Sequence, residues 1–229
     1  MRTLALAAAT AAVATVVALQ TGAQTKPIAL SGAPVLAPGG DIMAGIAEIP
    51  SRIRNYDYHR VAFGESWSDD NPAPGGHNGC DTRNDILNRD LVEKTYVYTK
   101  RCPQAVATGV LRDPYSNSTI AFTRGNKVGA AVQIDHIVPL ALAWDLGARD
   151  WTATQRLRFA NDPANLIAVS GKANQDKGDQ EPGVWMPPNT AFHCQYAVAF
   201  TAVLRGYRLP VDAPSGRVLR RAADSCPRY

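Results

Sequence analysis

The sequence predicts an α+β fold in one substantial domain, and three observations point that way. Short runs rich in β-branched residues recur at 106–111, 118–124, 132–138 and 166–169. Between them stand helix-start signals: Asp81 or Thr82 ahead of a run to residue 90, and Thr152 with Gln155 three positions later, the spacing of a capping box. A hydrophobic fraction of 45% with scattered aromatic residues suits a packed core and excludes a disordered or fibrous chain.

At the N-terminus, Arg2 precedes an uncharged Ala/Val/Leu/Thr stretch at residues 4–19, and Thr21-Gly22-Ala23 offers small residues for a signal peptidase. So short, alanine-dominated a stretch is weak for a membrane span, so residues 1–23 are expected to be a cleaved signal peptide. Residues 24–41 are rich in Pro, Gly and Ala without period and read as a leader, leaving 42–229 as the folded domain. Ile42, Ile46, Ile49 and Ile53 repeat at spacings of three and four, predicting an N-terminal helical part split in two by Pro50. The segment SDDNPAPGGHNGCD is a loop by composition, and a helix to residue 90 follows it. Asp113-Pro114-Tyr115-Ser116-Asn117 has turn chemistry and joins the first two β-rich runs as a hairpin. From 130 to 180 the order is strand, helical insertion (140–146 and 152–161), strand, then a polar helix or loop.

Cys80, Cys102, Cys194 and Cys226 have no C-x-x-C spacing, which argues against a zinc knuckle. In an oxidising compartment an even count reads as two disulfides. Of the three pairings, Cys80–Cys102 and Cys194–Cys226 each close a moderate loop within one half of the chain. The formal charge of +4 permits a polyanionic partner without demanding one. Six Arg against two Asp in residues 205–229 fit either a solvated face or a track for a phosphate backbone. His59, His77 and His193 have no metal-type spacing, and Trp144, Trp151 and Trp185 are read as packing residues.

Three words carry the chemistry: Ile134-Asp135-His136-Ile137-Val138-Pro139, Asn165-Leu166, and Lys172-Ala173-Asn174-Gln175-Asp176-Lys177-Gly178-Asp179. In this order, with Asn165 nine residues before Asn174, they resemble the HNH, or ββα-metal, endonucleases. The likeness is closest to the C-terminal domain of GmrSD restriction enzymes and small secreted nucleases. The flanking words Cys80-Asp81-Thr82-Arg83-Asn84, Asp113-Pro114-Tyr115 and Trp185-Met186-Pro187-Pro188-Asn189 resemble the secreted subgroup and extend the likeness over most of the mature chain. The resemblance implies a ββα-metal core with a helical insertion between Asp135 and Asn165. It also implies endonucleolytic cleavage of DNA leaving 5′-phosphate and 3′-hydroxyl ends, with Asn165 pinning the loop between the strands. Lys177 would lie near the scissile phosphate.

The residue types agree with that chemistry. Histidine titrates near neutrality, so His136 suits a general base on water, with its second ring nitrogen fixed by an acceptor. Asp135 and Asn174 offer hard oxygen ligands, which with waters and phosphate favour Mg²⁺, or Mn²⁺, over Zn²⁺. Because neighbours on a strand point to opposite faces, the strand is expected to end at the Asp135–His136 pair. Arg83 is read either as a phosphate contact or as a salt-bridge partner of Asp81 or Asp85. Weak sequence preference and a monomer without membrane association are expected. Two rivals stand beside this reading: a secreted nucleic-acid-binding module without activity, and a phosphodiesterase preferring RNA.

Overall fold

A computed structural model describes residues 40–125 and 129–226; the expected signal peptide and all but the end of the leader lie outside the described residues. The architecture is mixed, with three small sheets and six α-helices among the described residues. At its centre β5 (Val132–His136) pairs antiparallel with β6 (Leu166–Ser170), His136 opposite Leu166 and Val132 opposite Ser170. The hairpin is buried on both faces. Leu166 and Ala168 join Val132 and Ile134 in a core with Ile86 and Leu87, whereas Ile167 and Val169 enter the main core with Phe200 and Leu204. This two-sided burial explains why residues 166–169 are uniformly apolar rather than alternating.

The elements around the hairpin follow local chemistry. Asp81 caps α1 (Thr82–Asp90), its side chain accepting from Asn84 N at 2.8 Å. Strands β2 (Val92–Thr99), β3 (Cys102–Arg112) and β4 (Thr119–Thr123) form an antiparallel sheet in chain order. At the β3–β4 turn Asp113 accepts from Tyr115 N, and Asn117 takes φ 59°. The insertion holds α2 (Leu140–Asp145) and α3 (Ala153–Asn161), the latter entered through the full Thr152/Gln155 capping box. Then α4 (Gly171–Lys177) leaves β6 directly; a Cβ on Gly171 would meet Ala130 O at 2.6 Å, so only glycine lets it start so close. The chain closes with α5 (His193–Tyr207), β7 (Val211–Asp212) and α6 (Ala213–Ala223), β7 pairing in parallel with β1 (Glu48–Ile49). Disulfides join Cys80 to Cys102 and Cys194 to Cys226, the second bringing the end of α6 back to the start of α5. Loops of this size contribute about 3 kcal/mol each.

The N-terminal helical part is corrected. Residues 42–63 form a turn, the two-residue β1 and a short 3-10 turn at Arg60–Phe63, with no α-helix. The isoleucines do not share a face: Ile42 is buried in the main core, while Ile53 is 74% exposed. Tertiary bonds hold the segment instead. Arg52 is 4% exposed on its side chain and reaches Asp145 (2.7 Å), Asp179 (2.9 Å) and Glu181 (2.8 Å).

One charged group is held at a cost. Asp85, half-buried on α1, is pushed up to about 6, mainly by burial; its hydrogen bond with Asn78 opposes this, and the Asp69 and Asp81 carboxylates add to it. A carboxyl whose folded pKa is raised contributes stability below its unfolded value near 4, and that contribution is lost as pH rises through about 6. Asp85→Asn should therefore stabilise the protein above pH 6. The full shift corresponds to about 3 kcal/mol, which solvent screening of a half-exposed group reduces to about 1. Thermal melts should show a gain of about 2–4 °C at pH 7.5 that disappears at pH 4.

Candidate active site

The end of β5 opens into a cleft of about 370 Å³ lined by Asp135, His136 and Asn174, with Tyr58, Arg60 and Asp179 on its rim. The strand stops at His136, as neighbouring side chains on opposite faces require. Beyond it, Asn165 grips the following turn. Ile137 N donates to its backbone oxygen at 2.8 Å, Val138 N donates to its Oδ1 at 2.8 Å, and its Nδ2 donates to Val138 O at 3.2 Å. Asn165 is fully buried, so each of these polar groups must be paired inside the protein.

His136 lies on the β5 face shared with Val132 and Ile134. Its Nε2 is 2.9 Å from Ala160 O in the last turn of α3, which makes Nε2 the protonated nitrogen and leaves Nδ1 as the acceptor. The ring stacks on Trp67, with centroids 5.7 Å apart and planes 13° apart. Burial pushes the imidazole down to about 3; the Ala160 carbonyl opposes this, and the positive charges of Arg60 and Lys177 add to it. The ring is therefore neutral at physiological pH.

Asp135 lies on the opposite face. Its Oδ2 accepts from Tyr115 Oη (2.6 Å) and from Lys177 Nζ (2.5 Å), and both donors are fully buried. Burial lifts the carboxyl above its usual range and depresses the ammonium, while their mutual attraction resists both shifts. Gln133 shares this face, two residues back, and its Oε1 accepts from Asn174 Nδ2 at 2.7 Å. That bond commits Asn174 Nδ2 and leaves Oδ1 as the remaining polar atom of its side chain.

One expectation is corrected. Lys177 does not project towards a substrate: its Nζ also donates to His136 O (2.6 Å) and Ile137 O (3.1 Å), so it is a buried counter-ion beneath the carboxylate. Its place three residues after Asn174 puts both on one face of α4, and that face packs on β5. Arg83 lies outside the cleft; its Nη2 donates to Val132 O at 3.0 Å, and Asp81 favours its charge.

Sequence reasoning missed Trp67, Tyr115 as partner of Asp135, Arg60, and the Ala160 carbonyl. Tyr115 stood inside a quoted word, and the structure shows what the flanking words do. Asn189 donates its Nδ2 to Pro114 O and its backbone N to Tyr115 O, both at 2.9 Å, and Trp185 packs edge-on against the Tyr115 ring at 5.3 Å. Thr82 Oγ1 donates to Asn161 Oδ1 at 2.8 Å, one residue from the carbonyl that holds His136. For Trp67, Arg60 and Ala160 the sequence offered no signal.

The donors suit a hard divalent cation: a carboxylate and a carboxamide line one cleft, the carboxylate held by Tyr115, Lys177 and the His136 backbone N–H. Among the described residues, no group of three or more His, Cys, Asp or Glu could hold a metal, so an ion here would rely on these two oxygens, water and substrate.

Comparison with known proteins places residues 81–221 on the family model described as "GmrSD restriction endonucleases, C-terminal domain". A protein of Arthroderma benhamiae named "Uncharacterized secreted protein" is 37% identical over 150 residues, covering 64% of this chain and 68% of its own length. No solved structure matches. The secreted relative and the two disulfides agree: this protein is secreted. No helix among the described residues is long and apolar enough to cross a membrane.

Proposed function

From the premise that the chain belongs to the family of GmrSD restriction endonuclease C-terminal domains, we propose that it is a secreted, metal-dependent HNH endonuclease that hydrolyses DNA with little sequence specificity. In this reading β5, β6 and α4 are the ββα-metal core. The observation that carries it is the meeting of Asp135 and His136 with Asn174, from two words of the sequence nearly 40 residues apart, at one cleft.

The residues divide the work. His136 Nδ1 accepts a proton from the attacking water as the oxygen bonds to phosphorus, and the P–O bond to the 3′ oxygen breaks. The Ala160 carbonyl holds the Nε2 proton, and Trp67 holds the ring plane. As the ring becomes cationic it faces the carbonyl end of α3, where positive charge is favoured. A phosphodiester anion entering the cleft raises the ring's proton affinity, against Arg60 and Lys177. Asp135 and Asn174 would hold Mg²⁺ or Mn²⁺, which relieves charge on the phosphoryl oxygens and on the leaving oxygen. Tyr115 and Lys177 fix the Asp135 carboxylate through Oδ2.

The test is nicking of supercoiled plasmid by the exported, oxidised protein. Cleavage is expected with Mg²⁺ or Mn²⁺, is lost with EDTA, and returns on adding excess metal. Asn174→Ala should raise the Mg²⁺ concentration for half-maximal rate by about tenfold or more, since one of two protein oxygens is gone. Cleavage unaffected by EDTA would refute the metal role, and preferential loss of RNA in a mixed-substrate assay would shift the reading to a ribonuclease.

A further inference from the structure

His136 has two supports, and both are tied to a third residue that touches neither the ring nor the cleft lining. Trp67, well upstream in the chain, lays its indole against the face of the imidazole. Ala160, downstream, offers its carbonyl to the edge. Thr82, the first residue of α1, bonds to both neighbourhoods. Its backbone N donates to Trp67 O at 3.2 Å, and its Oγ1 donates to Asn161 Oδ1 at 2.8 Å, on the residue next to Ala160. Asn71 completes the junction: its Nδ2 donates to Ser68 O at 2.7 Å and stands 3.5 Å from Thr82 Oγ1. Asn71, Thr82 and Asn161 are all buried, so their polar atoms must find partners within the protein.

Each strand of this junction constrains the ring. Trp67 has φ 61°, a left-handed shape that bulky side chains avoid, and the bond from Thr82 N pins its carbonyl in that shape. Thr82 itself starts from a fixed point. Cys80, two residues before it, is bonded to Cys102 at the start of β3, and Asp81 caps α1 through Asn84 N. The hydroxyl is what joins the two sides. Valine has the shape of threonine, but it would leave Asn161 Oδ1 facing a methyl group with its buried acceptor unpaired. Asn161 is the last residue of α3, and its Nδ2 donates to Leu157 O at 3.0 Å. Releasing Oδ1 therefore loosens the turn that presents the Ala160 carbonyl. An imidazole that tilts, or moves its proton to the other nitrogen, presents the wrong atom to water while the substrate binds as before.

We propose that Thr82 is the positioning residue of the general base: through Trp67 on one side and Asn161 and Ala160 on the other, it fixes the plane of the His136 ring and the nitrogen that carries its proton. The catalytic consequence rests on the general-base reading of His136.

The test compares Thr82→Val, Thr82→Ser and Thr201→Val in the full oxidised protein. Thr201 is the control: it is likewise buried, and its hydroxyl donates to Ala197 O at 2.8 Å within its own helix α5. With Mg²⁺ and a labelled DNA oligonucleotide, Thr82→Val should lower kcat by about 10- to 100-fold and leave KM within about twofold of the parent, as when a reacting group is misplaced by up to an ångström. Thr82→Ser should recover most of the rate, and Thr201→Val should lower the melting temperature while kcat stays at the parent value. Spectra of ¹⁵N-histidine protein read the same geometry without turnover, and four histidines keep them simple. In the parent, His136 should show a pyrrole-type Nε2 and a pyridine-type Nδ1; in Thr82→Val the two resonances should move towards their mean, and in Thr82→Ser they should not. Parent-like kcat or parent-like ring nitrogens in Thr82→Val overturn the proposal, and so does an equal rate loss in Thr201→Val. If Thr82→Val does not fold, Asn161→Leu breaks the same bond from its other end, leaves Thr82 Oγ1 able to turn to Ser68 O at 3.3 Å, and should show the same two effects. A parent protein that cleaves nothing defeats the nuclease reading, and the ring nitrogens then decide the role of Thr82 alone.

Discussion

On the proposed mechanism, His136→Ala should lower DNA turnover by between about 10² and 10⁴-fold, the range a positioned general base supplies. The reason is geometric. His136 Nε2 is committed to Ala160 O and its ring to Trp67, so Nδ1 is the single basic atom of this side chain that can face the cleft. The substitution leaves a hole against Trp67 and an unpaired carbonyl, at a cost on the order of 1–3 kcal/mol, which lowers the melting temperature without unfolding the protein. Mg²⁺ affinity should stay close to that of the parent, because the proposed oxygen ligands are Asp135, on the other strand face, and Asn174, on α4. Added imidazole should restore part of the rate by occupying the hole. Full turnover in a purified, folded His136→Ala protein would remove the mechanism.

Lys177→Met produces the largest loss of stability, about 3–5 kcal/mol, as expected when one member of a buried pair is removed. The Asp135 carboxylate, 5% exposed, would keep Tyr115 but lose its cation, and the carbonyls of His136 and Ile137 would lose their donor. Urea unfolding should move to a midpoint lower by about 1–5 M for a slope of about 1–3 kcal/mol per M. A lysine that merely touched phosphate would leave that midpoint in place and lower catalysis alone, so one experiment separates the two roles. Asp135→Asn in the same chain should recover part of the stability while cleavage stays lost, because the carboxamide removes the stranded charge.

The hairpin, the strand stop at His136, both helices of the insertion and both disulfides were legible because each rests on short-range rules: alternation, capping and loop length. Burial was not. In Lys172-Ala173-Asn174-Gln175-Asp176-Lys177 nothing distinguishes exposed Lys172 from buried Lys177; only the seating of α4 on β5 does. The isoleucines at 42–53 imitate a helical period, but the segment is held by Arg52 and Asn55 bonding to carboxylates 90 or more positions away. Helices α5 and α6 went unread, although their apolar residues complete the main core. Trp67 lies in a Gly/Ser-rich stretch without period, and its importance depends on a ring 69 positions further on.

The Arg52 hub bears on where an independently folding unit begins. The recognisable family span starts at residue 81, yet the guanidinium that reconciles Asp145, Asp179 and Glu181 comes from upstream, as do Phe63 in the core and Arg60 on the rim. A polypeptide excised at Asp81 would leave three acids crowding one another beside an uncovered hydrophobic floor. Homology therefore marks out a shorter piece than self-sufficiency requires, and the stretch that looks least like structure belongs inside the boundary.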